Sequence, residues 1–182
     1  MSTLSRPGSR AISAARCQKL LSRRNHRRSP SPGCGQRGTA VQLLTMKALL
    51  TEIALRRVQM TQYRFCANAA CDVVYFGEAG DRFGTEDVRM PVWHKQSAGS
   101  RLLCYCFGET EEVIRRELAQ SGREEVVARI RQHIAAERCA CDIRNPRGAC
   151  CLGDVTAAIK RIEAEIAEGS MNDGRLTNVP NR

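Results

Sequence analysis

Cys104-Tyr105-Cys106 stands just before a segment of helical pattern, and Cys139, Cys141 and the adjacent Cys150-Cys151 stand in a loop ahead of another. Thiols this closely spaced either pair as disulfides in an oxidising compartment or hold metal as thiolates in a reducing one. Residues 1–35 are rich in Arg and Ser without an apolar run of signal-peptide length, and no stretch approaches a membrane span. The thiols therefore read as ligands, and a cytoplasmic location is expected. A 2Fe–2S cluster needs two thiolates on each iron, drawn from segments that the fold brings together. A Cys-x-Cys pair at one helix entrance and further cysteines at another meet that need. Free N–H groups at helix N-termini favour the anionic cluster. Buried free thiols or a second zinc site are the alternatives for the same six residues.

A second group lies earlier. Cys34-Gly35 is followed at a distance by Cys66-Ala67-Asn68-Ala69-Ala70-Cys71 and then Asp72-Val73-Val74-Tyr75-Phe76. Two cysteines flanking a tight turn hold one edge of a tetrahedral zinc site, and a distant knuckle supplies the other. Cys34, Cys66 and Cys71 make three ligands. The fourth donor is open among His94, Asp72, Cys17 and a water.

The elements that must position these thiols are short. Leu49, Leu50, Ile53 and Val58 predict one amphipathic helix of about three turns. Tyr63–Cys66 and Asp72–Phe76 predict strands, and the glycines from Gly77 to Gly84 predict a turn into another extended piece. His94–Arg101 is a polar linker around Gly99. Thr110 is placed to cap a helix that opens with Glu111 and Glu112 and stops at Ser121-Gly122. Ser121 and Glu124 predict a capping box for a helix with the stripe Val126, Val127, Ile130 and Ile134. Asp154 opens a last helix through Val155, Ile159, Ile162 and Ile166, with Gly169 as its stop. The fold class expected is α+β: a small zinc-binding β-hairpin subdomain over 31–95, then a helical 2Fe–2S-binding subdomain over 101–168. Residues 1–30 and 170–182 are expected to be disordered tails.

The run Cys104-Tyr105-Cys106-Phe107, Thr110-Glu111-Glu112, Cys139 and Cys150-Cys151-Leu152-Gly153-Asp154-Val155 resembles the bacterioferritin-associated-ferredoxin-like 2Fe–2S domain. It is more similar still to the cluster half of the N-terminal domain of CopZ-type copper chaperones. Asn145-Pro146-Arg147-Gly148-Ala149-Cys150-Cys151 is similar to that family's fourth-ligand loop. The resemblance spans roughly Pro32 to Ile159. It implies Cys104, Cys106, Cys139 and Cys151 as cluster ligands, with Cys150 and Cys141 as alternates, and a mononuclear zinc centre in the first half. The chain departs from the pattern where a Cys-Pro-x-Cys-Gly knuckle is expected, reading Ser31-Pro32-Gly33-Cys34-Gly35 instead.

Charge and motif content narrow the function. The formal charge is +10, but eight basic residues precede Ser29 and the first acidic one is Glu52. With those eight set aside, 21 basic residues face 19 acidic ones, so the remainder is no basic domain and nucleic acid is not an expected partner. No nucleophile–base arrangement or phosphate loop stands out. The reading is a non-enzymatic one-electron carrier with a redox partner protein. The resemblance implies a setting in copper handling, through Cu(II) reduction and a copper ion or copper-transport protein as partner. The sequence holds no Met-x-Cys-x-x-Cys copper loop, so with both metal sites filled no thiolate pair is left to retain copper. A metal- or redox-responsive regulatory protein with a basic tail is the other class.

Overall fold

The computed structural model describes residues 30–173, with side chains to residue 169. The predicted basic tail, Cys17 and the last nine residues lie outside the described residues. The chain forms β1 (Thr39–Val41), α1 (Leu43–Leu49), α2 (Glu52–Leu55), β2 (Tyr63–Phe65), β3 (Val73–Gly77) and β4 (Arg82–Gly84). It continues with β5 (Leu102–Cys104), β6 (Glu109–Thr110), α3 (Glu111–Ser121), α4 (Val126–Ala135), α5 (Cys141–Arg144) and α6 (Leu152–Asp173). Strands β1 to β4 make one antiparallel sheet in sequence order, and β5–β6 is a separate hairpin.

The mixed, antiparallel architecture agrees with the expected class, and several local expectations need correction. The single helix over 49–58 is two short ones. Leu50 adopts an extended conformation and bridges Val88, because its backbone is recruited by the chain leaving β4. Thr51 then caps α2 by accepting from the Ala54 N–H. Thr110 does cap α3, accepting from Val113 N–H, and α3 ends at Gly122 in the left-handed region. The Ser121 capping box does not form. Its hydroxyl turns back to the Glu117 and Arg123 carbonyls, leaving Glu124 to accept from Val127 N–H. The last helix starts at Leu152 and runs past Gly169. No helix among the described residues is long and apolar enough to cross a membrane.

Two apolar cores result. One packs the four-stranded sheet against α1 and α2 through Met46, Leu50, Tyr63, Phe65, Tyr75 and Phe83. The other gathers Leu103, Ile114, Val126, Ile130, Val155 and Ile162 from the hairpin and the long helices, with Cys104, Cys141 and Cys151 inside it. Segment 141–151 joins the two. The Tyr75 hydroxyl donates to the Pro146 carbonyl at 2.8 Å, and the Thr45 hydroxyl to the Asp142 carbonyl at 2.5 Å. Tyr105 ties the other side, accepting from Trp93 N–H and donating to the Pro91 carbonyl. The cysteine loop therefore rests on the sheet's own core residues.

Candidate metal centres

The first thiol group is built by three tight backbone features. The turn 31–36 is closed by Ser31 N–H to the Gln36 carbonyl and Gly35 N–H to the Ser31 carbonyl, which aims Cys34 inward. Cys66 leaves β2 with its N–H on the Val74 carbonyl, and Cys71 closes a turn onto the Asn68 carbonyl. Cys34, Cys66 and Cys71 thus bring their sulfurs within 4.8 Å of one another, Cys34 and Cys66 at 3.7 Å. Zinc–sulfur bonds of about 2.3 Å in a tetrahedron separate ligating sulfurs by about 3.8 Å, so the trio fits zinc. Gly33 is required by space: a Cβ there would stand 2.8 Å from the Cys71 sulfur. The Cys34 thiol is held down at about 6 by a hydrogen bond from Asn68 and then by the Gln36 backbone. Burial pushes the Cys66 thiol up. A site with one ready thiolate beside two buried sulfurs gathers charge as a cation enters.

The open fourth position is not taken by His94 or Asp72. Among the described residues, the ligand atoms that converge are those of the three cysteines. His94 lies against the Trp93 ring at 3.7 Å and edge-on to Phe65 at 4.9 Å, with its Nδ1 buried and without a hydrogen-bond partner. Burial, then Arg147, Lys95 and Arg101, lower its pKa to about 4. Because that value lies below the ordinary one of about 6.5, the unfolded chain binds the proton more readily. The stability from a neutral His94 is present above pH 6.5 and is lost as pH falls toward 4. His94→Gln is expected to flatten the decline in urea midpoint across that interval, measured against the native chain.

Among the described residues, an oxygen that faces the trio beside Asn68 is that of Ser31. Ser31 is buried, and its Oγ stands 3.8 Å from the Cys71 sulfur and within hydrogen-bonding reach of Cys34 and Cys66.

The second group draws on four places. Cys104 ends β5 and Cys106 lies in the tight β5–β6 turn, which Gly108 closes onto the Cys104 carbonyl at 2.8 Å. Cys141 opens α5, and Cys151 precedes α6, its carbonyl accepting from Val155 N–H. The sulfurs of Cys106 and Cys141 are 3.7 Å apart, those of Cys104 and Cys151 are hydrogen-bonded, and Cys141 also reaches Cys151. Ala140 N–H donates to the Cys106 sulfur at 3.3 Å. Cys139, expected as a ligand, is half-buried against the same core, and Cys150 is exposed. The family resemblance placed the third ligand at Cys139 and left Cys141 as an alternate; the four-residue helix that turns Cys141 inward is too short to signal itself in the sequence.

Asn145 sets this loop. Its side chain accepts from Arg147 N–H and donates to the Ala149 carbonyl, and its own carbonyl takes Gly148 N–H. Gly148 needs its positive φ of 66°, and Thr45 lies 2.9 Å from where a Cβ would be. Electrostatics follow from the packing. Cys141 is drawn down to about 3 by hydrogen bonds from Cys106 and then Cys151, while its thiol partners Cys106 and Cys151 are pushed up. The Cys141 thiolate is therefore held by protons on its neighbours, and replacing those protons needs a cation.

Residues 29–89 match the family described as a zinc binding domain of the CopZ type. No curated protein matches the chain. Among solved structures, the Archaeoglobus fulgidus CopZ N-terminal domain is similar, with 28% identity and a TM-score of 0.56 over 67% of this chain and 91% of that one. The cysteine trio falls within the matched segment, and the chain carries a CopZ-type zinc-binding part joined to a larger fold similar to the CopZ N-terminal domain.

Proposed function

We propose that the protein is an iron–sulfur and zinc protein that carries single electrons in copper handling. The observation that carries the reading is the thiol quartet, three buried and Cys106 half-buried, arranged two and two: Cys106 with Cys141, and Cys104 with Cys151. Two irons with two thiolates each ask for that pairing. In this reading Cys141 takes the place expected for Cys139, and residues 31–95 and 101–168 are the zinc and cluster units. A 2Fe–2S cluster held there supplies a one-electron couple. The residues around it exclude water and hold charge: Leu103 and Ile114 bury the sulfurs, Ala140 N–H polarises Cys106, and Arg147 pairs with Asp154 at the start of α6.

The copper setting is supported by the likeness to the CopZ N-terminal domain. Its partners are then a redox protein, and a copper ion or copper-transport protein. The cytoplasm is the proposed location, since the reading requires thiols that stay reduced.

The test is composition and turnover together. Anaerobically purified protein is expected to hold two irons, two acid-labile sulfides and about one zinc per chain, a stoichiometry that follows from the separated trio and quartet. After dithionite reduction it is expected to convert Cu(II) to Cu(I), trapped by a chelator, as its visible spectrum returns to the oxidised form. Zinc in both thiol groups and no sulfide would overturn the reading.

A further inference from the structure

Among the described residues, the donor that faces the trio's open position is an oxygen, and that changes which ion the site holds best. Ser31 is fixed by its backbone, since its N–H and carbonyl both close the turn that carries Cys34. Its Oγ accepts from Gly33 N–H at 3.4 Å and faces the Cys71 sulfur at 3.8 Å. With that N–H on one lone pair and thiols around it, the oxygen is a neutral hydroxyl. A neutral hydroxyl is a weak donor to zinc. Three thiolates around Zn²⁺ sum to a charge of −1, one less negative than a four-cysteine site gives.

A soft monovalent d¹⁰ ion has a different requirement. Cu(I) is selected by thiolates and is satisfied by three of them without a fourth donor. The trio supplies that set, and the Lys95 ammonium, which donates to the Asn68 carbonyl at 2.5 Å in the turn between Cys66 and Cys71, offsets the extra negative charge. We propose that Ser31 makes this an exchangeable site: zinc is held by Cys34, Cys66 and Cys71 with the Ser31 hydroxyl as a displaceable fourth donor, and Cu(I) takes its place. The exchange is not a redox step. Cu(I) enters, Zn²⁺ leaves, and the three thiolates stay deprotonated. The inference deepens the copper-handling reading and rests on it. It also supplies the copper-retaining thiolates that the sequence was expected to lack.

The experiment uses the full zinc-loaded chain under anaerobic conditions, titrated with chelator-buffered Cu(I), with released zinc followed by a chromophoric zinc indicator. The native chain is expected to release one zinc per Cu(I) bound. Ser31→Cys is expected to need at least about tenfold more free Cu(I) for the same release, because a fourth thiolate holds zinc directly. Equal release by both proteins, or zinc retention by the native chain, overturns the proposal. Ser31→Ala guards against a misfolded cysteine variant: zinc affinity within about threefold of native supports a weak oxygen donor, and a loss of about a hundredfold refutes it. Sulfide content and visible spectrum, recorded on the same samples, report the electron-carrier reading separately.

Discussion

Cys141→Ser is expected to abolish the visible absorption of anaerobically prepared protein and its acid-labile sulfide, whereas Cys139→Ser is expected to leave both near native levels. The reasoning is geometric. Cys141 is nearly fully buried, stands 3.7 Å from Cys106 and touches Cys151, so it links the two thiol pairs. A serine there removes the group on which the quartet's charge centres, leaving Cys106 without its partner. Cys139 lies two residues earlier, on the approach to α5 and half-buried at the edge of the core, and in the proposed ligand set it is not one of the four sulfurs. Iron content should follow absorption in both variants. The converse result, with the spectrum lost in Cys139→Ser and kept in Cys141→Ser, would restore the ligand set that family resemblance implies and would mean that the loop rearranges when loaded.

That reversal illustrates what a single sequence exposes and what it conceals. Grouping of the cysteines was legible because the polar linker around Gly99 and the family resemblance divide 34–71 from 104–151; spacing alone does not, since the step from Cys71 to Cys104 is as long as that from Cys106 to Cys139. Thr110 was legible as a cap because a hydroxyl followed by two glutamates matches the chemistry of free N–H groups at a positive helix end. Ser121 carried a similar signature and misled, since the αL residue Gly122 turns its hydroxyl back onto α3. Local chemistry offers two partners there, and tertiary geometry selects one.

Features set by contacts distant in sequence were not legible. Leu50 is extended because Val88 pairs with it, and nothing near position 50 announces that bridge. The Tyr75–Pro146 hydrogen bond spans 71 positions and places the cysteine loop on the zinc half's sheet. The linker around Gly99 suggested two separate subdomains. With Thr45 and Tyr75 gripping the loop between Cys141 and Cys151, a change at one metal site has a short covalent and hydrogen-bonded route to the other. Ser31 was visible as a departure from the family's knuckle, but only its packing against three sulfurs gives the departure a chemical meaning.

Glu111→Ala is expected to cost about 3 kcal/mol of stability, a large loss for a single polar side chain. The Glu111 side chain is fully buried and meets three groups: the guanidinium of Arg161 in α6, that of Arg101 at 3.6 Å, and Gly99 N–H at 2.5 Å. Gly99 and Arg101 lead into β5, which ends at Cys104, while Arg161 lies on the helix that begins beside Cys151. One carboxylate thus ties together the segments carrying two of the four thiols. Removing it leaves Gly99 N–H unsatisfied and two arginines facing each other, the situation in which breaking a buried ion pair costs most. The estimate sits at the lower end of the range of roughly 3–5 kcal/mol because Arg161 is 38% exposed and keeps a second partner in Glu165 at 3.5 Å. The comparison is Glu165→Ala, which removes a surface carboxylate 41% exposed, screened by solvent, and is expected to cost far less than Glu111→Ala. Glu111→Gln keeps an oxygen for Gly99 N–H and is expected to recover about 1 kcal/mol of the loss. Urea unfolding measures all three variants, and the rate at which the visible spectrum bleaches in air measures whether the thiol segments have drifted apart. Equal costs for Glu111→Ala and Glu165→Ala would show that solvent, rather than the carboxylate, satisfies Gly99 and Arg161.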